Sequence, residues 1–426
     1  PLCKHVISVT EANQVGKITH EALTLAVDGR PGPIVVELPE DISFQNIVNS
    51  SILSPQKRKV NVPEIEVIAQ AVKLINASNH PVVIGGEMVN FEEANQLFEL
   101  FASTIGAGVY SAFRRQGVIS TEHPAYLGHL GLALAPYQKA MWQDIDLVVA
   151  VGTRLDAATT MDFQLINQSQ KLIQIFPDSN VLNANNADVT INADCVSSLN
   201  EIIKQLKDSA PKDRIAWKIA QHKMYAEWAN ADDKGAIGDV DMVEIMKILG
   251  DMVPNDCTIT NDAGNFATWI HRYLPFKHPK AQAAPASGSM GFGVPGAIGA
   301  QLARPNSLIV SLAGDGGFLM TGQEMITAVE NNLPIKVIVC DNNAYGTIAM
   351  HQVRKYGQKS QFAVNIKSPD FALAAKAWGV RSWTVTKTKQ FAKILQSAFE
   401  HSGPALIHLK TDLQDLAASG MKLSKP

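Results

Sequence analysis

The chain has 426 residues, 46% of them hydrophobic, and a formal charge of −3, which allows large buried cores in more than one domain. Charges of both signs are scattered, so there is no basic stripe for nucleic acid. No apolar run approaches the ~18 residues of a membrane span and no charged-then-apolar leader opens the sequence, so a soluble cytoplasmic protein is expected.

In chain order, residues 11–27 carry a helical pattern. The turn Asp28-Gly29-Arg30-Pro31-Gly32-Pro33 follows, then a strand over 34–38 closed by Pro39. Residues 49–62 read as a linker, because Ser, Pro and Lys crowd them without apolar periodicity. From 63 to 207, strands at 81–85, 147–152, 171–175 and 189–191 alternate with helices, which predicts a parallel α/β domain. Residues 208–239 include a helix around 217–228 and cross to a third domain, predicted over 240–420. There Asp241 caps a helix whose apolar side carries Met242, Ile245, Met246 and Leu249. Cys3, Cys195, Cys257 and Cys340 are far apart and form no Cys-x-x-Cys pair, so they read as small core residues.

The chemistry concentrates further on. A buried strand over 307–313 runs into Gly314-Asp315-Gly316-Gly317. Thr321-Gly322-Gln323-Glu324 reads as a capping box before a helix bearing Met325, Ile326, Ala328 and Val329. Pro334 ends that helix, and a second buried strand over 335–340 runs into Asp341-Asn342-Asn343. This βαβ unit brings Asp315 and Asn342 to the carboxyl ends of two parallel strands, where open α/β sheets bind ligands. A carboxylate, an amide oxygen and a nearby backbone carbonyl suit magnesium, which takes oxygen ligands and shares them with phosphates. Glycines at 314, 316 and 317 let backbone N–H groups approach diphosphate oxygens. The alternative is an ordinary strand-to-helix turn followed by an unrelated Asn-rich turn.

These motifs resemble those of the thiamine-diphosphate enzymes, and their surroundings are similar to the acetolactate synthase branch. Residues 288–300 (Gly-Ser-Met-Gly-Phe-Gly-Val-Pro-Gly-Ala-Ile-Gly-Ala) and Asn261-Asp262-Ala263-Gly264-Asn265-Phe266, with Trp269 beyond, carry the likeness. The resemblance implies doubly wound parallel α/β sheets: a diphosphate-binding domain at 240–420, a Rossmann-like central domain at 63–207, and at 1–48 the end of a pyrimidine-binding domain whose earlier part precedes Pro1. On that reading the chain is a truncated or partly sequenced product.

The implied cofactors are thiamine diphosphate and Mg2+. Asp315, Asn342 and the main-chain oxygen of Ala344 fall on the metal ligands, and Met290 falls on the apolar wedge that bends the cofactor; a filler in irregular core is its alternative. Gly264, Asn265, Gly288, Gly314, Gly316, Gly317, Tyr345, Gly346 and Thr347 complete the expected cofactor set. Phe266 stands where acetolactate synthases tend to place histidine. His351 and Gln352 are candidates for the substrate cavity, although His351 stands where a tryptophan is expected and reads equally as a surface residue. His271 and His278, amid Arg272, Lys277 and Lys280, read as surface groups.

FAD is an alternative the sequence does not favour. Gly85-Gly86 lacks a full Gly-x-Gly-x-x-Gly, and Ala157-Ala158-Thr159-Thr160 departs from the run expected in flavin-binding relatives. The implied reaction is decarboxylation of a small 2-oxo acid with carboligation to a second carbonyl. Simple decarboxylation, acyl-CoA lyase or sulfoacetaldehyde-type acetyltransferase chemistry, and a non-catalytic cofactor-binding relative, remain open. The family's activating glutamate matches no residue here; Glu37 and Glu40 lie in the wrong part of the first segment. Sites shared between subunits imply a homodimer or homotetramer.

Overall fold

The computed structural model describes residues 2–47, 53, 58–206, 210–231, 236–418 and 423. Three parallel sheets organise the chain. The first is a pair, β1 (His5–Ser8) and β2 (Ile34–Glu37), joined by the helix Val15–Val27. A small core of Val9, Ala12, Ile18 and Ile42 sits beneath that helix, while Val6, Val36 and Leu38 are exposed.

The second sheet comprises β3 (Pro81–Gly85), β4 (Gly108–Ser111), β5 (Tyr126–His129), β6 (Leu147–Val151), β7 (Lys171–Ile175) and β8 (Val189–Ile191). Their spatial order is β5-β4-β3-β6-β7-β8, all parallel. That is the 3-2-1-4-5-6 arrangement of a doubly wound sheet. Pro-Val-Val-Ile-Gly and Leu-Val-Val-Ala-Val are buried at every position, as strands covered on both faces must be. Phe98, Phe101 and Ile105 of the helix Asn95–Ile105 pack on this sheet, together with Ile68 and Ile75 of Ile65–Ala77.

The third sheet comprises β9 (Thr258–Asn261), β10 (Gln282–Ala283), β11 (Ile309–Gly314), β12 (Lys336–Asp341), β13 (Arg381–Val385) and β14 (Ala405–Lys410). Its order is β10-β9-β11-β12-β14-β13. The helix Met242–Met252 opens this unit, and the Asp241 carboxylate accepts from the N–H groups of Val243 and Glu244, the cap its sequence announced. Met242, Ile245, Met246 and Leu249 are buried against the sheet.

The helix Lys212–Asn230 bridges the two large sheets. Arg214 donates to the carbonyls of Ile105 (2.8 Å), Ile75 (3.2 Å) and Ser78, and Arg272 reaches the carbonyls of Trp228 and Ala418. The proposed linker over 49–62 and the crossing over 208–239 fall partly outside the described residues. Of the former, Arg58 is described and pairs with Asp194 at 2.6 Å.

Two expectations are corrected. Thr321 does not cap a helix: it ends the helix Asp315–Thr321, its hydroxyl donates to the Gly291 carbonyl (2.8 Å), and a 3-10 turn at Gly322–Glu324 precedes the helix Met325–Glu330. The chain starts helix directly at Asp315, so position 321 arrives at a helix end rather than a start. His271 is not a surface group either. Its ring meets that of His129, in β5, at 5.1 Å between centroids, and its Nε2 contacts Gln282, in β10, at 3.1 Å. Burial holds both imidazoles below the usual histidine range, His129 at about 4. Cys195, Cys257 and Cys340 are buried; Cys3 is half-buried. Among the described residues no helix is long and apolar enough to cross a membrane.

Candidate cofactor and metal site

Strands β9, β11 and β12 end around one cavity of about 230 Å3, at the point where the order of the third sheet reverses. Asp315 follows β11 at the first position of its helix and is buried. Its Oδ1 accepts from the Gly316 N–H (2.8 Å) and its Oδ2 from the Ala344 N–H (3.1 Å). Asn342 follows β12, and its Oδ1 accepts from the same Ala344 N–H at 3.1 Å. Both side-chain oxygens are thus held at one point of the loop, no further apart than twice that distance. An inverse γ-turn at Tyr345 (φ −71°, ψ 70°), closed by the Gly346 N–H on the Ala344 carbonyl at 2.8 Å, sets the course of the loop.

The glycines have defined work. A Cβ on Gly316 would stand 2.5 Å from the Tyr345 ring, and one on Gly317 would stand 2.0 Å from Oδ2 of Asp262. Only glycine lets the helix start this close to both neighbours.

Burial first, and the adjacent Asp341 carboxylate second, push the Asp315 carboxyl up to about 7. Desolvation would raise Asp341 as well, but hydrogen bonds from His408, Lys410 and Ser368 outweigh it and hold that group well below the usual carboxylate range. A buried carboxylate beside an amide oxygen and a main-chain carbonyl is a hard-oxygen set of the kind magnesium takes. Among the described residues no cluster of three or more His, Cys, Asp or Glu side chains offers another metal site, and none of the residues lining the cavity is Lys, Arg or His.

Gly264, Asn265, Gly288, Met290, Gly314, Asp315, Gly316, Gly317, Asn342, Ala344, Tyr345, Gly346 and Thr347 all line this cavity. Asn265 is steadied by its N–H on the Thr347 hydroxyl (3.1 Å), and Met290 is 36% exposed at the wall. His351 and Gln352 do not line it. Only the first turn of the helix Gly346–Tyr356 touches the cavity, and a rise of about 1.5 Å per residue carries the next turn away. Gln352 instead makes two bonds to the Phe362 backbone, at 3.0 and 2.9 Å. Thr411, Asp415 and Leu416 line the wall unforeseen, because the chain after β14 folds back over the site. Asp415 fastens this return by accepting from the N–H groups of Ile237 and Gly238. Its only signal in the sequence was the apolar run that becomes β14.

In the second sheet, the glycines weighed for a dinucleotide serve packing. A Cβ on Gly86 would meet Thr153 at 2.4 Å, and one on Gly85 would meet Phe98 at 2.7 Å.

Comparison with known proteins fits these findings. Residues 262–409 match the family model described as thiamine pyrophosphate enzyme, C-terminal TPP binding domain, and residues 68–202 match thiamine pyrophosphate enzyme, central domain. The chain belongs to the thiamine pyrophosphate enzymes. Within them it is similar to acetolactate synthase large subunits. It is 28% identical to the isozyme 2 large subunit of Escherichia coli over 413 residues, 96% of this chain and 74% of the relative. A probable large subunit from Methanococcus aeolicus is 28% identical over 434 residues, 97% and 72% of the two chains. The Lactococcus lactis large subunit is 25% identical over 414 residues, 96% and 71%.

Proposed function

We propose that this chain binds thiamine diphosphate through Mg2+, decarboxylates a small 2-oxo acid such as pyruvate, and joins the product to a second carbonyl, as the names of its relatives suggest. The observation that carries the reading is the convergence of Asp315 and Asn342 on the single N–H of Ala344, at the ends of β11 and β12. Asp315, Asn342 and the Ala344 carbonyl hold the cation. Gly264, Asn265, Gly314, Gly316, Gly317, Gly346 and Thr347 surround the diphosphate, with Tyr345 packed on Gly316. Gly288 and Met290, on the cavity wall, would hold the rest of the coenzyme. Bound there, the coenzyme supplies the nucleophilic carbon and the electron sink for decarboxylation.

Exposed apolar side chains support a homodimer or homotetramer: Leu302, Leu319, Met320 and Ile326, on helices that contact one another, are all exposed, as residues covered by a partner would be. Light scattering of the purified chain tests the assembly.

Product analysis with pyruvate, thiamine diphosphate and Mg2+ tests the reaction. Acetolactate supports carboligation, and acetaldehyde alone refutes it in favour of simple decarboxylation. Absence of Mg2+-dependent thiamine diphosphate binding refutes the whole reading.

A further inference from the structure

Asp341, the last residue of β12, is wholly buried directly beside the cation loop. Its Oδ2 accepts from His408 Nε2 (2.8 Å) and Lys410 Nζ (2.6 Å); its Oδ1 accepts from the Ser368 hydroxyl (2.8 Å) and the Asn343 N–H (3.0 Å). A carboxylate only accepts, so the imidazole proton lies on Nε2. Four donors fill about the four lone-pair sites a carboxylate has, leaving none for a metal. The donors come from β14, from the 368 segment and from the loop itself. Asn343, whose N–H donates to Asp341, has φ +59°, a left-handed conformation that asparagine adopts more readily than most residues but that is uncommon outside glycine. The following turn carries Asn342 and Ala344 to Asp315.

We propose that Asp341, fastened by His408 and Lys410, is the positioning residue of the cation site: it holds the Asn342–Asn343–Ala344 turn at the spacing at which its oxygens and that of Asp315 meet one ion. This rests on the functional reading above. Lys410 matters chiefly as an anchor. Its charge alone would oppose a cation, whereas its bond to Asp341 steadies the turn.

The test is a Mg2+ titration of thiamine diphosphate binding to the full chain, read by tryptophan fluorescence, since Trp269 lines the cavity. Asp341→Asn and Lys410→Met are expected to raise the Mg2+ concentration for half-saturation by roughly 10- to 100-fold, the range for residues that orient metal ligands. Thiamine diphosphate affinity at saturating Mg2+ stays near wild type, and Lys410→Arg restores the Mg2+ midpoint. Ser368→Ala, which removes one donor with little loss of volume, shifts it in the same direction and covers the case in which Asp341→Asn does not fold. Unchanged Mg2+ midpoints overturn the proposal. So does a lower midpoint in Lys410→Met, which would show that the network acts by charge and not by position. A wild-type chain that binds no coenzyme would defeat the functional reading instead, and is seen separately in the same titration.

Discussion

Replacing Gly317 by alanine sets two effects of opposite sign against each other. Gly317 lies within the helix Asp315–Thr321, where alanine is favoured over glycine by about 1 kcal/mol. The new Cβ, however, would stand 2.0 Å from Asp262 Oδ2 and 2.8 Å from its Cγ. Asp262 has little freedom to yield. It is buried, and its Oδ1 accepts from the N–H groups of Ala263 (2.8 Å) and Phe292 (3.3 Å). Overpacking of this kind costs about 1 to 3 kcal/mol, so at the middle of that range the net effect is a loss of about 1 kcal/mol. Thermal unfolding should show a midpoint lower by about 2 to 4 °C. Coupling should appear in the cycle: adding Gly317→Ala to Asp262→Ala should cost less than adding it to wild type, by about 1 kcal/mol. A Gly317→Ala protein as stable as wild type, or a cycle without coupling, would refute the close approach and with it the argument that this helix must begin in glycine.

Asp315→Asn should raise the Mg2+ needed for half-saturation of thiamine diphosphate binding by at least about tenfold, while metal-free melting above about pH 7 stays level or rises because a buried charge is gone; an unchanged Mg2+ midpoint would remove Asp315 from the ligand set. The carboxyl of Asp315 is raised from 3.8 to about 7 in the folded chain, so the metal-free fold retains a proton that the unfolded chain has released. Its contribution to stability is therefore present below about pH 4 and lost as pH rises to about 7. Mg2+ must displace that proton, so its midpoint should fall as pH rises towards 7 and level off above; a flat profile between pH 5.5 and 8 would contradict this. Arg214→Met leaves the carbonyls of Ile75, Ser78 and Ile105 without their donor, and urea unfolding should register a loss of about 3 kcal/mol.

The catalytic strands were the most legible part of the chain because they are buried on both faces and end in residues of unmistakable chemistry. The strand readings at 81–85, 171–175 and 189–191 coincide with β3, β7 and β8, and the spacing from Asp315 to Asn342 spans one strand-to-strand crossover. Strands β4 and β5 escaped notice. Gly108–Ser111 and Tyr126–His129 are four residues each, with glycine inside or at the start, and owe their place to pairing, β4 on β3 and β5 on β4, rather than to local pattern. The Thr321 reading failed for a related reason: a hydroxyl three residues before a glutamate is a cap only if the helix starts there, and the start is set upstream by the Gly314–Asp315 turn. His271 looked exposed among cations, yet β10 brings Gln282 against it, a contact across 11 residues that periodicity does not encode. The asparagines and the aspartate of the clamp were visible as residue types; the four donors on Asp341, drawn from positions up to 69 residues away, were not.

A wall whose described residues include no lysine, arginine or histidine has a thermodynamic consequence for ligand entry. A trianionic ester approaching it meets amide dipoles and a carboxylate, so on its own it is repelled as much as welcomed. Affinity then resides in the pair: ion and ester each improve the other's hold by the same factor, and neither saturates at low concentration of its companion. Cellular magnesium and the supply of the vitamin would then jointly set how much of this protein is loaded.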